Sequence, residues 1–251
     1  MRRGTDSGDF CLLLLAPRTA TPIRCRRPSP IMNVLAIGAH PDDVEIGCGG
    51  ALALHARAGD RVTVCCVTDG EAGGLDREPE ELAALRRGEA EAGARTLGAL
   101  EPLFLGFPDG RLAYAGYRLV AALGRFIREE RPALVYVHHP EDGHPDHAHL
   151  AGAVIDACRR AGAHAFTDLG PTPHRVEGVR LYEVWTPLRE VAVVVDISHV
   201  VRQKAEAIRC HASQVQLVPY DEVALGLNRY RSVLLRSAIH VEAFGTATTT
   251  W

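Results

Sequence analysis

The stretch Val34-Leu35-Ala36-Ile37-Gly38-Ala39-His40-Pro41-Asp42-Asp43-Val44-Glu45 decides how the rest of the chain is read. Its opening residues form an almost unbroken apolar run, which suits a strand buried on both faces rather than one with a wet side. Polarity then changes abruptly through His40-Pro41-Asp42-Asp43, and a segment of helical length, 45–57, follows. Strand, polar turn and helix in that order are the first half of a βαβ unit.

Reading outward, the same alternation recurs along the chain. Apolar, β-branched runs predict strands over 34–38, 61–68, 103–105, 133–137, 180–185 and 191–197. Segments rich in Ala, Leu, Arg and Glu predict helices over 45–57, 79–97, 117–130, 147–161, 200–211 and 220–236. Gly59, Gly98 and Gly162 fall just past three of these helices, where a left-handed C-cap is wanted. The expected fold is a three-layer, Rossmann-like α/β domain with a mostly parallel sheet, occupying 32–251.

Composition limits what such a domain does. At 251 residues, 47% hydrophobic and 24% charged, the chain can bury a sizeable core and is not globally disordered. No apolar run approaches the roughly 18 residues of a membrane span. Residues 1–31 carry six arginines against two aspartates, which leaves 22 basic and 29 acidic residues beyond them. A body this acidic has no electrostatic reason to bind nucleic acid. The basic leader reads as a transit-type peptide or a misassigned start upstream of Met32, outside the fold. The seven cysteines contain no CxxC pair, and Cys65 and Cys66 point to opposite faces of one strand. They read as small buried hydrophobes in a reducing, cytoplasmic compartment.

In an open parallel sheet, ligands sit beyond the carboxyl ends of the strands. The loops found there read Ala39 to Glu45, Asp69-Gly70-Glu71-Ala72-Gly73-Gly74, Phe107-Pro108-Asp109-Gly110, and His138-His139-Pro140-Glu141-Asp142-Gly143-His144-Pro145-Asp146-His147. A lone His at a strand end, or a lone Asp-Asp, is ordinarily a cap. Two His-Pro-Asp-(Asp/His) tetrapeptides, each after a buried strand, instead gather His40, Asp42, Asp43, His144, Asp146 and His147 at one sheet edge. Imidazole and carboxylate together suit zinc, and three protein ligands leave a position for water, as in catalytic sites. Water so bound is acidified, and a neighbouring carboxylate can take its proton as it attacks an amide or ester.

These motifs, AHPDDVEIGCGG and HPEDGHPDH, resemble the PIG-L/LmbE family of zinc-dependent N-deacetylases. TDGEAGG, Arg86 and Glu89, FPDG, VDIS with Lys204, HASQ and EAF extend the likeness from about Asn33 to Phe244. The resemblance implies that His40, Asp43 and His147 ligate the metal and that Asp42 is the general base. It further implies that His144 stabilises the oxyanion or protonates the leaving amine, with Asp146 orienting its imidazole. Zinc is the implied ion, with iron(II) able to take the same ligands in the cell. The implied reaction removes acetyl from an N-acetylglucosamine unit joined to malate, inositol or another glycan, and the closest pattern is the bacillithiol-biosynthesis branch. Arg86 and Asp109 are candidate substrate contacts, because a guanidinium holds carboxylate or phosphate bidentately and a carboxylate accepts from sugar hydroxyls. Relatives of the bacillithiol type often carry Arg where Gly143 stands here. Family likeness also implies a homo-oligomer.

Two other readings compete. A thiol-sugar conjugate amidase would use the same metal centre on a different acyl group. A non-catalytic, nucleotide-binding Rossmann module would need a glycine-rich turn where this chain has Pro41-Asp42-Asp43, and negative charge there repels a pyrophosphate. Gly49 and Gly50 come too late for that turn and read as letting the first helix pack closely.

Overall fold

The computed structural model describes residues 12–14, 31–74 and 76–250. In chain order its elements are β1 (Leu12–Leu14), β2 (Asn33–Gly38), α1 (Asp43–Ala58), β3 (Arg61–Cys66), α2 (Pro79–Leu97), β4 (Leu103–Phe104), α3 (Tyr117–Glu130) and β5 (Leu134–His138). They continue with α4 (Pro145–Ala161), β6 (Gly178–Tyr182), β7 (Val193–Asp196), α5 (Val201–Arg209), α6 (Ala212–Val215), α7 (Tyr220–Arg231) and β8 (Val241–Ala247). The strand order is β1-β7-β8-β6-β5-β2-β3-β4. The run from β6 to β4 is parallel, whereas β8 pairs antiparallel with both β6 and β7, and β1 antiparallel with β7.

Alternation along the strands builds two cores, as the period of two requires. Val34, Ala36, Val62, Val64 and Cys66 pack with residues of α1, α2, α5 and α7. Leu35, Ile37, Cys65 and Val67 pack with residues of α3 and α4 on the other face. The result is the expected helix-sheet-helix sandwich. Each fully buried Leu or Ile in it contributes about 1.5–3 kcal/mol of transfer free energy. Cys65 and Cys66 lie on opposite faces, and the cysteines among the described residues are free. No helix among the described residues is long and apolar enough to cross a membrane.

Of the two glycines read as letting α1 pack closely, Gly50 does so while Gly49 would meet a Cβ at an ordinary 3.5 Å, and Gly47 adds a closer approach that the sequence reading did not name. A Cβ at Gly50 would stand 2.6 Å from Ile197 Cγ2, and one at Gly47 would stand 2.2 Å from the ring of Tyr182. Side chains there would lift α1, whose first residue is Asp43, off the sheet. Gly59 and Gly98 adopt the left-handed caps (φ 88° and 80°), but Gly162 does not; its φ is −76°.

Two further departures from the sequence reading concern the sheet. β8 was not anticipated, yet it is inserted between β6 and β7. Its apolar period is broken by Glu242, which is 1% exposed and paired at 2.6 Å with Lys204 Nζ, itself fully buried. Glu242 also accepts the backbone N–H groups of Gly50 and Ala51, each at 2.8 Å. The second departure is β1: Leu12–Leu14, expected outside the fold, pair with Val193–Val195. The rest of the leader, 1–11 and 15–30, with its reading as a transit peptide or misassigned start, lies outside the described residues.

β2 has β3 on one side and β5 on the other, so the chain reverses its direction of growth across the sheet at β2. The crevice beyond the carboxyl ends of β2 and β5 is therefore the topological switch point. Both His-Pro-Asp motifs open into it.

Candidate active site

The first motif is a strained turn. His40 N donates to Asp43 Oδ2 at 2.8 Å, tying the end of β2 to the first residue of α1. Asp42, between them, sits at φ 108°, a region that residues with a Cβ seldom enter. Such conformations cost about 1–3 kcal/mol and persist where surrounding contacts over-determine them. Here Arg86 of α2 supplies those contacts: Nη2 donates to Pro41 O at 2.6 Å and lies 3.3 Å from Asp42 Oδ2, while Nη1 donates to Gly70 O at 3.0 Å.

The second motif is a helix start. Pro145 begins α4, His144 occupies the N-cap, and Asp146 and His147 lie in the first turn, where proline and acidic residues are favoured. Asp142 fixes this end: its Oδ1 lies 3.0 Å from His147 Nδ1, and it accepts the N–H groups of His144 and Trp185 at 2.9 Å each. His147 Nε2 is thereby aimed at His40 Nδ1 and Asp43 Oδ1, each 3.2 Å away. His40 Nδ1 lies 3.4 Å from Asp43 Oδ2, and its Nε2 lies 3.0 Å from Asp109 Oδ1.

This trio fits a divalent metal. Zinc bound tetrahedrally at about 2.0–2.2 Å spaces its ligand atoms about 3.4 Å apart; here the two imidazole nitrogens are 3.2 Å apart, and they lie 3.2 and 3.4 Å from opposite oxygens of Asp43. Three overlapping groups, His40/His144/His147, Asp43/His138/His147 and His40/Asp109/Asp146, each hold three ligand atoms within 4.8 Å, and the trio draws on the first two. Both imidazoles of the trio have a carboxylate behind them, Asp109 for His40 and Asp142 for His147, which orients the ring and raises its basicity. His138 Nε2, at the end of β5, accepts the Ala39 N–H at 3.2 Å and lies 3.1 Å from Asp43 Oδ2.

Electrostatics divide the two aspartates. Burial pushes the Asp42 carboxyl up to about 6, against the pull of Arg86. Burial acts on Asp43 in the same sense, but the imidazoles of His147 and His138 outweigh it and hold Asp43 well below the usual range. Burial lowers His147, and Asp43 with Asp142 more than reverses this, to about 9. Burial likewise lowers His40, and its contacts with Asp109, Asp146 and Asp43 raise it well above the ordinary value, so both imidazoles mark a pocket whose carboxylates favour a cation. His144 is lowered by burial and by His40, so it is neutral near pH 7. Its Nδ1 accepts from Asp146 N at 3.2 Å, which leaves the proton on Nε2.

His40, Asp42, Asp43, His144, Arg86 and Asp109 line one cleft of about 260 Å³, with His147 and Asp146 buried beneath it. Three assignments change. The carboxylate of Asp146 does not orient His144; it accepts from Gly110 N (2.8 Å) and Leu112 N (3.1 Å) and lies 3.6 Å from His40 Nε2. Arg86 lines the cleft but is 3% exposed, and its amino groups bond Pro41 O and Gly70 O beside Asp42. Asp109 is turned towards His40 and Ala72 N. Sequence reasoning missed Asp142 and His138 as partners of the ligands, although both lie in a loop it singled out. It also missed Trp185, Gln214 and Tyr220, which complete the cleft wall. Only the HASQ match pointed to Gln214, and no motif marked the two aromatics.

A doubly wound sheet with a His/Asp cluster at its switch point defines an α/β protein whose site is equipped for metal-assisted chemistry. Comparison with known proteins makes this specific: residues 35–158 match the family described as PIG-L, GlcNAc-PI de-N-acetylase. The chain is 36% identical over 193 residues to the diacetylchitobiose deacetylase of Thermococcus kodakarensis, covering 73% of this chain and 70% of that protein. It is 29% identical over 209 residues to a probable N-acetyl-α-D-glucosaminyl L-malate deacetylase of Bacillus cereus, covering 80% and 92%. The solved N,N'-diacetylchitobiose deacetylase of Pyrococcus horikoshii superposes with a TM-score of 0.79 at 27% identity, covering 90% of this chain and 88% of that one. The chain belongs to the PIG-L family of deacetylases.

Proposed function

We propose that residues 32–251 form one zinc-dependent N-deacetylase domain that removes acetyl from an N-acetylglucosamine-containing glycoside. The observation that carries this reading is the His40/Asp43/His147 trio with an uncoordinated carboxylate, Asp42, on the same turn. When bound there, zinc supplies Lewis acidity to water and to the acyl oxygen.

The chain's own groups then have distinct tasks. Asp42, with a carboxyl near 6, is basic enough to take a proton from the attacking water and acidic enough to release it. The water oxygen forms the new bond to the acetyl carbon. His144 Nε2–H donates to the oxygen on which negative charge develops, which is the larger electrostatic contribution in acyl transfer. As the C–N bond breaks, the proton taken up by Asp42 passes to the leaving amine, and acetate remains. Arg86 holds Asp42 in its strained conformation, while Asp109 and Asp142 hold the two ligand imidazoles. Free thiols at Cys48, Cys65, Cys66 and Cys158, all buried, support a cytoplasmic setting. Self-association, as the family likeness implies, is part of the proposal and is checked by sedimentation.

The test is acetate release from N-acetylglucosaminyl malate, N-acetylglucosaminyl inositol and N,N'-diacetylchitobiose by zinc-reconstituted protein. Turnover of at least one, abolished by a chelator and restored by zinc, is the expected result. A folded, zinc-loaded protein that releases acetate from none of them would overturn the reading.

A further inference from the structure

Beyond the metal trio, the cleft continues onto two aromatic residues that the proposed chemistry does not use. Trp185 follows β6 and is 43% exposed, although it is among the largest apolar side chains of the molecule. Its ring packs against that of Tyr220, the first residue of α7, with centroids 5.2 Å apart and planes inclined at 60°. Both line the same cleft as His40, Asp42 and His144. The Trp185 backbone is fixed by the bond from its N–H to Asp142 Oδ2 at 2.9 Å, and Asp142 is the residue that orients His147. An exposed indole anchored to the support of a metal ligand is held at a set distance from the reacting bond.

The charge of the cleft is equally informative. Its described lining includes three carboxylates, Asp42, Asp43 and Asp109, and one guanidinium, Arg86. That guanidinium's two amino groups bond Gly70 O and Pro41 O, with Asp42 Oδ2 3.3 Å away. Position 143, at the mouth of the second loop, is glycine, and its N–H is taken by Thr186 Oγ1 at 2.8 Å. With zinc at the trio, the three carboxylates, Arg86 and the ion sum to no net charge, so a malate or phosphate aglycone would gain no net attraction, and with the Arg86 amino groups already bonded it would lose its hydration without a free cation to meet it. An uncharged pyranose carries no such cost. Its axial C–H face stacks on an aromatic ring, while its hydroxyls stay at the wet rim.

We infer that Trp185 and Tyr220 form an aromatic subsite that receives the neutral sugar ring next to the scissile N-acetylglucosamine, selecting an uncharged oligosaccharide over carboxylate- or phosphate-bearing aglycones. This inference rests on the deacetylase reading for the position of the scissile unit. Trp185 supplies the stacking face and Tyr220 holds the indole upright.

Calorimetric binding to the zinc-loaded full chain separates the two claims, because it does not require turnover. The expected result is that N,N'-diacetylchitobiose binds at least tenfold more tightly than N-acetylglucosaminyl malate. Trp185→Ala weakens disaccharide binding about tenfold, and Trp185→Phe, which keeps an aromatic face, retains most of it. In acetate release, the same Trp185→Ala change raises KM for the disaccharide more than it lowers kcat. Equal or tighter binding of the malate conjugate, or an unchanged disaccharide affinity in folded Trp185→Ala, would overturn the subsite. If the binding order holds and acetate is never released, the subsite stands and the deacetylase reading falls.

Discussion

Asp142 Oδ1 lies 3.0 Å from His147 Nδ1, and the other oxygen of the same carboxylate receives the Trp185 N–H at 2.9 Å. One buried side chain thus sets both a ligand imidazole of the candidate metal centre and the aromatic wall of the cleft. Replacing an outer partner of a metal-bound His typically weakens metal binding 10–100-fold. Asp142→Ala is expected to lower zinc affinity by about that factor, and competition with a chromophoric chelator measures it.

Asp42 and His147 should separate chemistry from metal retention. Loss of a general base lowers turnover by about 10²–10⁴-fold. Asp42→Ala is expected to fall in that range while retaining stoichiometric zinc, whereas His147→Ala loses the metal. Metal analysis alongside acetate release distinguishes the two, and normal turnover by Asp42→Ala would remove Asp42 from the mechanism.

Arg86 tests positioning against substrate contact. Although it lines the cleft, its amino groups bond Pro41 O and Gly70 O and lie beside Asp42, the residue at the strained turn. Arg86→Lys keeps the charge but not the fork, so kcat is expected to drop at least tenfold with KM changed less than threefold. A rise in KM at constant kcat would instead assign Arg86 to the substrate.

The Lys204–Glu242 pair, fully buried and 2.6 Å apart, joins α5 to β8. Breaking one side of such a pair costs about 3–5 kcal/mol, because a charge is left without its partner. Lys204→Met is expected to lower the free energy of unfolding in urea by that amount. Glu242→Gln leaves an acceptor for only one of the Gly50 and Ala51 N–H groups, which bond different carboxylate oxygens, and strands the ammonium, so it is expected to be similarly destabilised.

His55 provides a pH test remote from the metal centre. Its Nδ1 lies 2.7 Å from Asp60 Oδ2 and its Nε2 3.1 Å from Tyr136 Oη. Burial lowers its pKa below the ordinary 6.5 despite Asp60. The unfolded chain therefore takes up the proton first, and this group's contribution to stability is complete above pH 6.5 and declines as the pH falls below it. His55→Gln should flatten the acid side of the stability profile, as read from urea midpoints at a series of pH values.

The sequence alone determined the βαβ order, the two-sided burial of β2 and β3, and the convergence of the two His-Pro-Asp motifs at one sheet edge. These are local properties: apolar period, turn chemistry and the rule that parallel strands present their carboxyl ends together. It could not rank Asp42 against Asp43, because that ranking depends on which carboxylate faces His147 and which faces Arg86. Only the tertiary structure decided the insertion of β8, whose apolar pattern is interrupted by a charge that Lys204 neutralises. It alone decided that Arg86 serves Pro41, 45 residues away, and that Asp142 serves Trp185, 43 residues away. Such contacts leave no periodic trace, since each partner looks like an ordinary surface residue until the fold buries it. The catalytic motifs are written along the chain; the supports that aim them, and the aromatic wall beside them, exist only once the sheet has brought distant loops together.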